Sequence, residues 1–432
     1  MDRENRIIKG SVLIKNGEIK KVGNINDLDV EETIDANGKL VMPGLVSAYT
    51  SLDRILLEAA PIKSNSSSDF IQFIQRVKWK LEQNLTKKDV YQSSLATSTK
   101  LLKSGTTFFG GICSSQGEIG KSLDEAAKAI EKVGIRACIG FEATERHTRA
   151  KGARGMRENI RFLENRSGPD DDEKIKGLVG LDSSYVVSDE LLRHGKRVAN
   201  QFEVPILIPT ARTEADPYYN LIEHGKRTVE RFRDVGLLSP KTILNHCTFI
   251  NEEEISTIEK FNSKVAFSPL NNLSNIKEGS IITRLKGKGI KVGLGNTGDA
   301  LDGFEGLRFL HLVHKLSYGK FKSITPIEAI ELATIKSAEL YGMEEKIGSI
   351  EKGKKGDIII IDPSPLPTPL RRENAAEHIV TSIGCKNIET VLVGGAPVVE
   401  DGRVKTLDEE KTMRKLRKKT DKIWKKIETI ER

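Results

Sequence analysis

The chain is poor in the residues and runs that would place it outside ordinary globular proteins. It has four cysteines in 432 residues, Cys113, Cys138, Cys247 and Cys385, and no two form a Cys-x-x-Cys pair. That spacing excludes a zinc knuckle and a disulfide framework, and a reduced compartment is the simplest reading. No apolar run is long enough to cross a bilayer. The N-terminus, Met1 to Arg6, lacks the apolar core of a secretory signal, so the expectation is a cytoplasmic protein with no membrane partner. Aromatics make up only 5% of the chain. The basic stretch Arg414–Lys426 holds Trp424 alone among aromatics. A net charge of +8 therefore reads as a solvated surface, and nucleic acid is not expected as a partner. No Gly-x-Gly-x-x-Gly follows the first strand, which argues against a dinucleotide-binding open sheet. There is no internal repeat.

What is present is an alternation. "SVLIKNGEIKKVG" reads as two strands around Asn16-Gly17, and "ETIDANGKLVMPG" repeats the pattern around Asn37-Gly38. From Val41 the texture changes to short apolar runs separated by amphipathic helices. The runs are "LVMPGLVSA", Thr106–Ile112, Arg136–Glu142, Gly177–Ser184, Val204–Ala211, Thr242–Phe249, Lys264–Pro269 and Lys291–Thr297. Each suits a buried parallel strand. Between them, Phe70, Phe73, Ile74, Val77 and Leu81 share one helical face. Thr86 with Asp89 makes a capping box, and Asn251 caps "EEEISTIEKF". Eight such strand–helix units predict an α/β fold, a TIM-type (β/α)8 barrel, over residues 44–345. The flanking β texture, residues 1–43 and 346–404, predicts one small composite β domain built from both ends. Residues 405–432 predict a C-terminal amphipathic helix whose stripe Met413, Leu416, Ile423, Trp424, Ile427 and Ile430 packs on the core.

The Pro-Gly after a strand in "KLVMPGLVSAYTSL" and the "GSIEKGKKGDIIIID" near the end resemble the amidohydrolase superfamily, in the branch of cytosine deaminase and the chlorohydrolase-like aminohydrolases. "EKVGIRACIGFEATER", "LLSPKTILNHCTFINEEEI", "GLGNTGDALDGFEGLRF" and "PSPLPTPLRRENAAEHIV" are most similar to putative aminohydrolases associated with selenium metabolism. The resemblance spans nearly the whole chain. One departure is at the N-terminus, where such proteins carry one or two further strands before the position of Ile7. It implies the barrel again, and hydrolysis of non-peptide C–N bonds as the family's activity.

The resemblance also implies where the family's metal ligands fall. Its His-x-His falls on Tyr49 and Ser51. The fifth-strand histidine falls on Pro209, and the glutamate that shuttles protons falls on Arg212. The eighth-strand aspartate falls on Thr297, while the sixth-strand histidine is retained as His246. A catalytic zinc needs about three protein ligands. Arg212 adds a positive charge that, at ~4 Å from a cation, costs about 4 kcal/mol per unit charge. The expectation is therefore no metal cofactor, with zinc or iron only if this reading fails. The functional expectation is a pseudoenzyme: a non-catalytic scaffold, binding protein or partner subunit. An active hydrolase or deaminase of small nitrogenous metabolites, working through a rebuilt site, is the alternative. The mouth-facing candidates are Tyr49, Cys113, Glu142, Asp182, Arg212, His246 and Asn272, suited to a small polar or anionic metabolite. Arg212 is expected to pair with Glu142 or Asp182. A homo-oligomer or an active paralogue is the expected protein partner. His311 and His314, at i and i+3, read as packing on an outer helix, and His378 as part of the C-terminal β region.

Overall fold

A computed structural model describes residues 2–25, 30–60, 70–166, 174–270, 281–296, 301–318 and 324–430. The N-terminal pair is β1 (Ser11–Lys15) and β2 (Glu18–Gly23), antiparallel around a tight turn. Asn16 (φ +53°) and Gly17 (φ +77°) supply the two left-handed residues that turn requires. The second hairpin expected from the sequence does not form. Residues 32–36 make no strand, and β3 (Leu40–Pro43) pairs instead with a C-terminal strand.

The barrel follows immediately. Its strands are β4 (Leu45–Ser51), β5 (Thr106–Cys113), β6 (Arg136–Phe141), β7 (Ile175–Gly177), β8 (Val179–Gly180), β9 (Ile206–Thr210), β10 (Thr242–His246), β11 (Lys264–Phe267) and β12 (Val292–Leu294). Parallel ladders join β4 to β7 and β8 to β12. Only Leu178 separates β7 from β8, so together they stand as the fourth of eight strands. A parallel bridge between Ala143 and Leu181 carries the circuit across that interruption. The last and first strands meet through side chains: Asn296 N donates to Ser47 Oγ at 2.9 Å, and Thr50 Oγ donates to Asn296 O at 2.9 Å. Gly295 must lack a side chain at this seam, because a Cβ there would lie 2.9 Å from Tyr49 Cβ. The strands are buried on both faces, as parallel strands covered by helices must be.

Caps fix the helices as the sequence indicates. Thr86 and Asp89 form a reciprocal box on the helix Lys87–Lys103, and Asn251 with Glu254 does the same on Glu252–Lys260. The helical stretch Phe70–Asn84 contains a π turn at Ile74–Lys78. Ile74, Val77 and Leu81 face the core from it, as their spacing predicts.

After the barrel come β13 (Ile358–Ile361), β14 (Ile388–Val393), β15 (Ala396–Glu400) and β16 (Arg403–Val404). They form one five-stranded sheet in the order β16-β15-β14-β13-β3, so both ends of the chain build it. The four-isoleucine run of β13 needs apolar neighbours along both edges, which explains why β3 is drawn there. His378 belongs to a short helix, Ala375–Thr381, and not to a strand. The C-terminal helix Glu409–Ile430 buries Leu416, Ile423 and Ile427, and Trp424 Nε1 donates to Leu56 O at 2.8 Å.

One ion pair ties the barrel's lower end to the small sheet. Arg136, at the start of β6, contacts Asp357 at 3.1 Å, and Asp357 also accepts from Gly394 N at 2.7 Å. Both side chains are buried, so removing one strands the other. Arg136→Met is expected to lower the unfolding free energy by about 3–5 kcal/mol. Denaturant titration checks this, and a loss under about 1 kcal/mol would show that the pair does not couple the two layers.

Candidate active site

The C-terminal ends of the barrel strands converge on a buried mouth. Tyr49 and Ser51 end β4, Glu142 follows β6, Asp182 follows β8, Arg212 follows β9, and His246 ends β10. The chain leaves two of these strands under strain. Ala211 (φ +44°), His246 (φ +77°) and Cys247 (φ +53°) are all left-handed, a conformation that costs a non-glycine residue of order 1–3 kcal/mol. Cys247 N and Phe249 N hold the two strand ends together by donating to Thr210 O and Ala211 O, each at 2.9 Å. The Tyr49 and His246 rings meet edge to face, 5.8 Å between centroids. Burial, followed by the charge of Glu142, pushes the Tyr49 hydroxyl up to about 12, so it stays protonated at neutral pH.

The carboxylates of the mouth find cations that were not singled out from the sequence. Lys78 Nζ lies 2.5 Å from Glu82 Oε1 and 3.3 Å from Glu142 Oε2. Arg146 bridges Glu82 and Asp182, contacting Asp182 Oδ2 at 3.3 Å, and its guanidinium stacks 5.3 Å from the Trp79 ring centroid. Asp53 accepts from Ser51 Oγ at 2.9 Å through one oxygen, and its other oxygen has no hydrogen-bond partner among the described residues. Glu142 and Asp182, the expected partners of Arg212, are in ion-pair contact with Lys78 and Arg146. The signal lay in the sequence. Lys78 and Glu82 are four apart, each one position beyond a residue of the apolar face (Val77, Leu81), which turns a salt-bridged pair toward the core edge.

Burial governs the proton affinities here. It raises Glu142 to about 7, with the Asp182 charge adding to the rise and Lys78 pulling against it. Burial also raises Asp53 and Glu82 above the usual carboxylate range. Lys78 is drawn down by burial, but Glu142 and Glu82 outweigh that and leave it above the ordinary lysine value. Arg212 keeps part of its surface open, yet burial and then the nearby Arg54 charge pull it down to about 10.

The remaining candidates separate cleanly. Asn272 and Thr297 lie outside the described residues. Cys113 is a buried thiol pushed up to about 12 by burial, which makes it a poor nucleophile. His311 and His314 are buried on the outer helix Gly303–Tyr318. His311 Nδ1 lies 3.2 Å from Ile324 O, and burial holds His314 down at about 4, which fits a packing role.

A barrel with its polar groups at the C-terminal strand ends has the layout of a barrel enzyme. Residues 40–398 match the amidohydrolase family, and the chain belongs to it. It is 32% identical to a 5'-deoxyadenosine deaminase of Methanobrevibacter smithii over 421 residues, 96% of this chain and 94% of that one. It is 28% identical to a 5-methylthioadenosine/S-adenosylhomocysteine deaminase of Thermoanaerobacter pseudethanolicus, over 96% of this chain and 94% of that one. Among solved structures it resembles an adenosine deaminase from Xanthomonas campestris with bound zinc (TM-score 0.86, 22% identity, 95% of this chain and 93% of that one). A zinc complex of atrazine chlorohydrolase from Arthrobacter aurescens is also similar (TM-score 0.82, 19% identity, 96% and 94%). At these identities the solved structures speak to the fold.

The comparisons correct the non-catalytic reading. Whole-length relatives at about 30% identity are named deaminases, which favours an active hydrolase. Losses at inherited positions are visible in the sequence, while the charges that reach the mouth from elsewhere, Lys78, Glu82 and Arg146, are not. Among the described residues the donor set does not fit zinc: Tyr49, Ser51 and Pro209 offer no ligand at neutral pH, and no three His, Cys, Asp or Glu side chains gather as a metal site. Thr297, at the eighth-strand ligand position, lies outside the described residues.

Glu142 gives the cluster a pH signature. Its folded pKa, about 7, exceeds the ordinary 4.5, so between those values the native state holds a proton that the unfolded state has released. Stability then falls as pH rises through that window. Glu142→Gln, which is permanently neutral, is expected to remove this fall. Melting temperatures of the two proteins should diverge across the window, with the variant gaining on the wild type as pH rises. Parallel curves would show that Glu142 titrates in the ordinary range.

Proposed function

We propose that the chain is an aminohydrolase that removes the exocyclic amino group of a 5'-modified adenosine through a rebuilt site. The observation that carries this reading is the 32% identity, along 96% of the chain, to a protein named 5'-deoxyadenosine deaminase. The chemistry of the mouth supports it. Hydrolytic deamination needs a group that takes a proton from water and gives protons back to nitrogen, and such a group works best with a pKa near the operating pH. Glu142, buried and raised to about 7, has that property. Its partner Lys78 holds one carboxylate oxygen at 3.3 Å, leaving the other for water.

The other mouth residues then take binding roles. The edge-to-face pair of Tyr49 and His246 offers an aromatic surface for a flat base. The unpartnered Asp53 oxygen accepts a hydrogen bond from a ligand N–H, where it would otherwise remain an unsatisfied buried acceptor. Asp182, fixed by Ser183 N at 2.7 Å and by Arg146, shapes the wall beside Glu142. Arg212 supplies positive charge to the mouth, which suits a polar 5'-substituent.

Ammonia release from 5'-deoxyadenosine, 5'-methylthioadenosine and adenosine by purified protein tests the reading. Release is expected with at least one of them, and Glu142→Gln is expected to lower kcat by about 10²–10⁴. No release from any adenosine nucleoside, with or without added divalent metal, would contradict it.

A further inference from the structure

The position of Lys78 is unusual for a lysine. The residue is 9% exposed and sits at the end of the π turn Ile74–Lys78, a one-residue expansion that re-aims the side chains after it. The turn brings its ammonium among carboxyl groups from three other parts of the chain as well as its own helix. Glu82 lies on its helix, Glu142 beyond β6, Asp182 beyond β8 and Asp53 beyond β4. A compact cation beside several acids at the C-terminal end of a barrel has the electrostatic character of a metal ion, at a mouth whose described residues gather no donor set for one.

We propose that the Lys78 ammonium is the fixed cation of this site, a positioning residue for Glu142, and that the hydrolysis proceeds without a metal ion. The inference rests on the aminohydrolase reading above. In the step, the oxygen of a water forms a bond to the amino-bearing carbon as Glu142 takes one of its protons. The C=N electron pair moves to the ring nitrogen, which receives that proton from Glu142. The remaining hydroxyl proton passes through Glu142 to the exocyclic nitrogen, the C–N bond breaks with its electron pair, and ammonia leaves with a C=O bond in place. Atoms and charge balance with water as the only co-reactant. Lys78 keeps the Glu142 carboxylate oriented and offsets its charge whenever it is ionised.

The groups facing Glu142 are Lys78 and Glu82 from the helix, Arg146 beyond β6 and Asp182 beyond β8, with Asp53, Tyr49 and Arg212 nearby. Removing Lys78 takes away a nearby cation that favours ionised Glu142, so the acid limb of the rate profile must move to higher pH. Lys78→Met is expected to lower kcat at least about 100-fold with KM little changed, and to shift that limb alkaline. Lys78→Arg is expected to restore part of the rate and return the limb toward its original position. A purely structural lysine would leave the limb in place, which would overturn the role of Lys78.

The metal half is tested on the wild-type protein. After EDTA treatment and gel filtration, ammonia release is expected to persist within about twofold, and zinc titration is expected to show no tight one-to-one binding dependent on His246. Release that vanishes with EDTA and returns with zinc would overturn the inference while leaving the aminohydrolase reading intact. Tight zinc binding that His246→Ala abolishes would overturn it even if no nucleoside is turned over. Absence of release with every nucleoside, in the presence of metal as well, is the separate failure of the functional reading.

Discussion

Four carboxyl groups, Asp53, Glu82, Glu142 and Asp182, are buried at one end of the barrel, and two cations, Lys78 and Arg146, contact the last three. Buried ions are tolerated only when paired or neutralised, and here the acids outnumber the bases. Burial first, and the Asp182 charge after it, carry Glu142 to a value near neutrality. The proton-carrying property of the mouth is therefore a consequence of poor solvation, reinforced by neighbouring acids. No single residue supplies it, and any change of charge within the cluster alters the others.

The scaffold supplies the rigidity this arrangement needs. The seam between β12 and β4, closed by Ser47, Thr50 and Asn296, fixes the strand that carries Tyr49 and Ser51. Left-handed residues at Ala211, His246 and Cys247 turn the ends of β9 and β10 into the mouth. Such strain persists only where surrounding hydrogen bonds over-determine it, as the paired donations to Thr210 and Ala211 do. The Arg136–Asp357 pair anchors the opposite end to the small sheet, away from the chemistry.

Most of the fold is legible in the sequence, because short apolar runs alternating with capped amphipathic helices permit few solutions. The Asn16-Gly17 hairpin, the Thr86 and Asn251 caps and the C-terminal stripe all follow from local rules. The Asn37-Gly38 hairpin does not, because β3 is claimed by the distant isoleucines of β13, a long-range pairing that no local signal reveals. The mouth was legible at Tyr49, Glu142, Asp182, Arg212 and His246, which are placed by strand ends. It was not legible at Lys78, Glu82 and Arg146, which enter from a helix and a loop, and whose π turn has no periodic signature. The non-catalytic expectation is overturned by the whole-length relatives named deaminases.

The pH dependence of kcat/KM for 5'-deoxyadenosine tests the account most directly, because it reads the charge cluster and the chemistry together. The account predicts turnover governed by one ionisation, half-maximal near pH 7 on the acid side and rising to a plateau above it. A limb in the ordinary carboxylate range near pH 4.5, or a profile flat from pH 5 to 8, would show that the buried cluster does not hold the proton that the reaction uses.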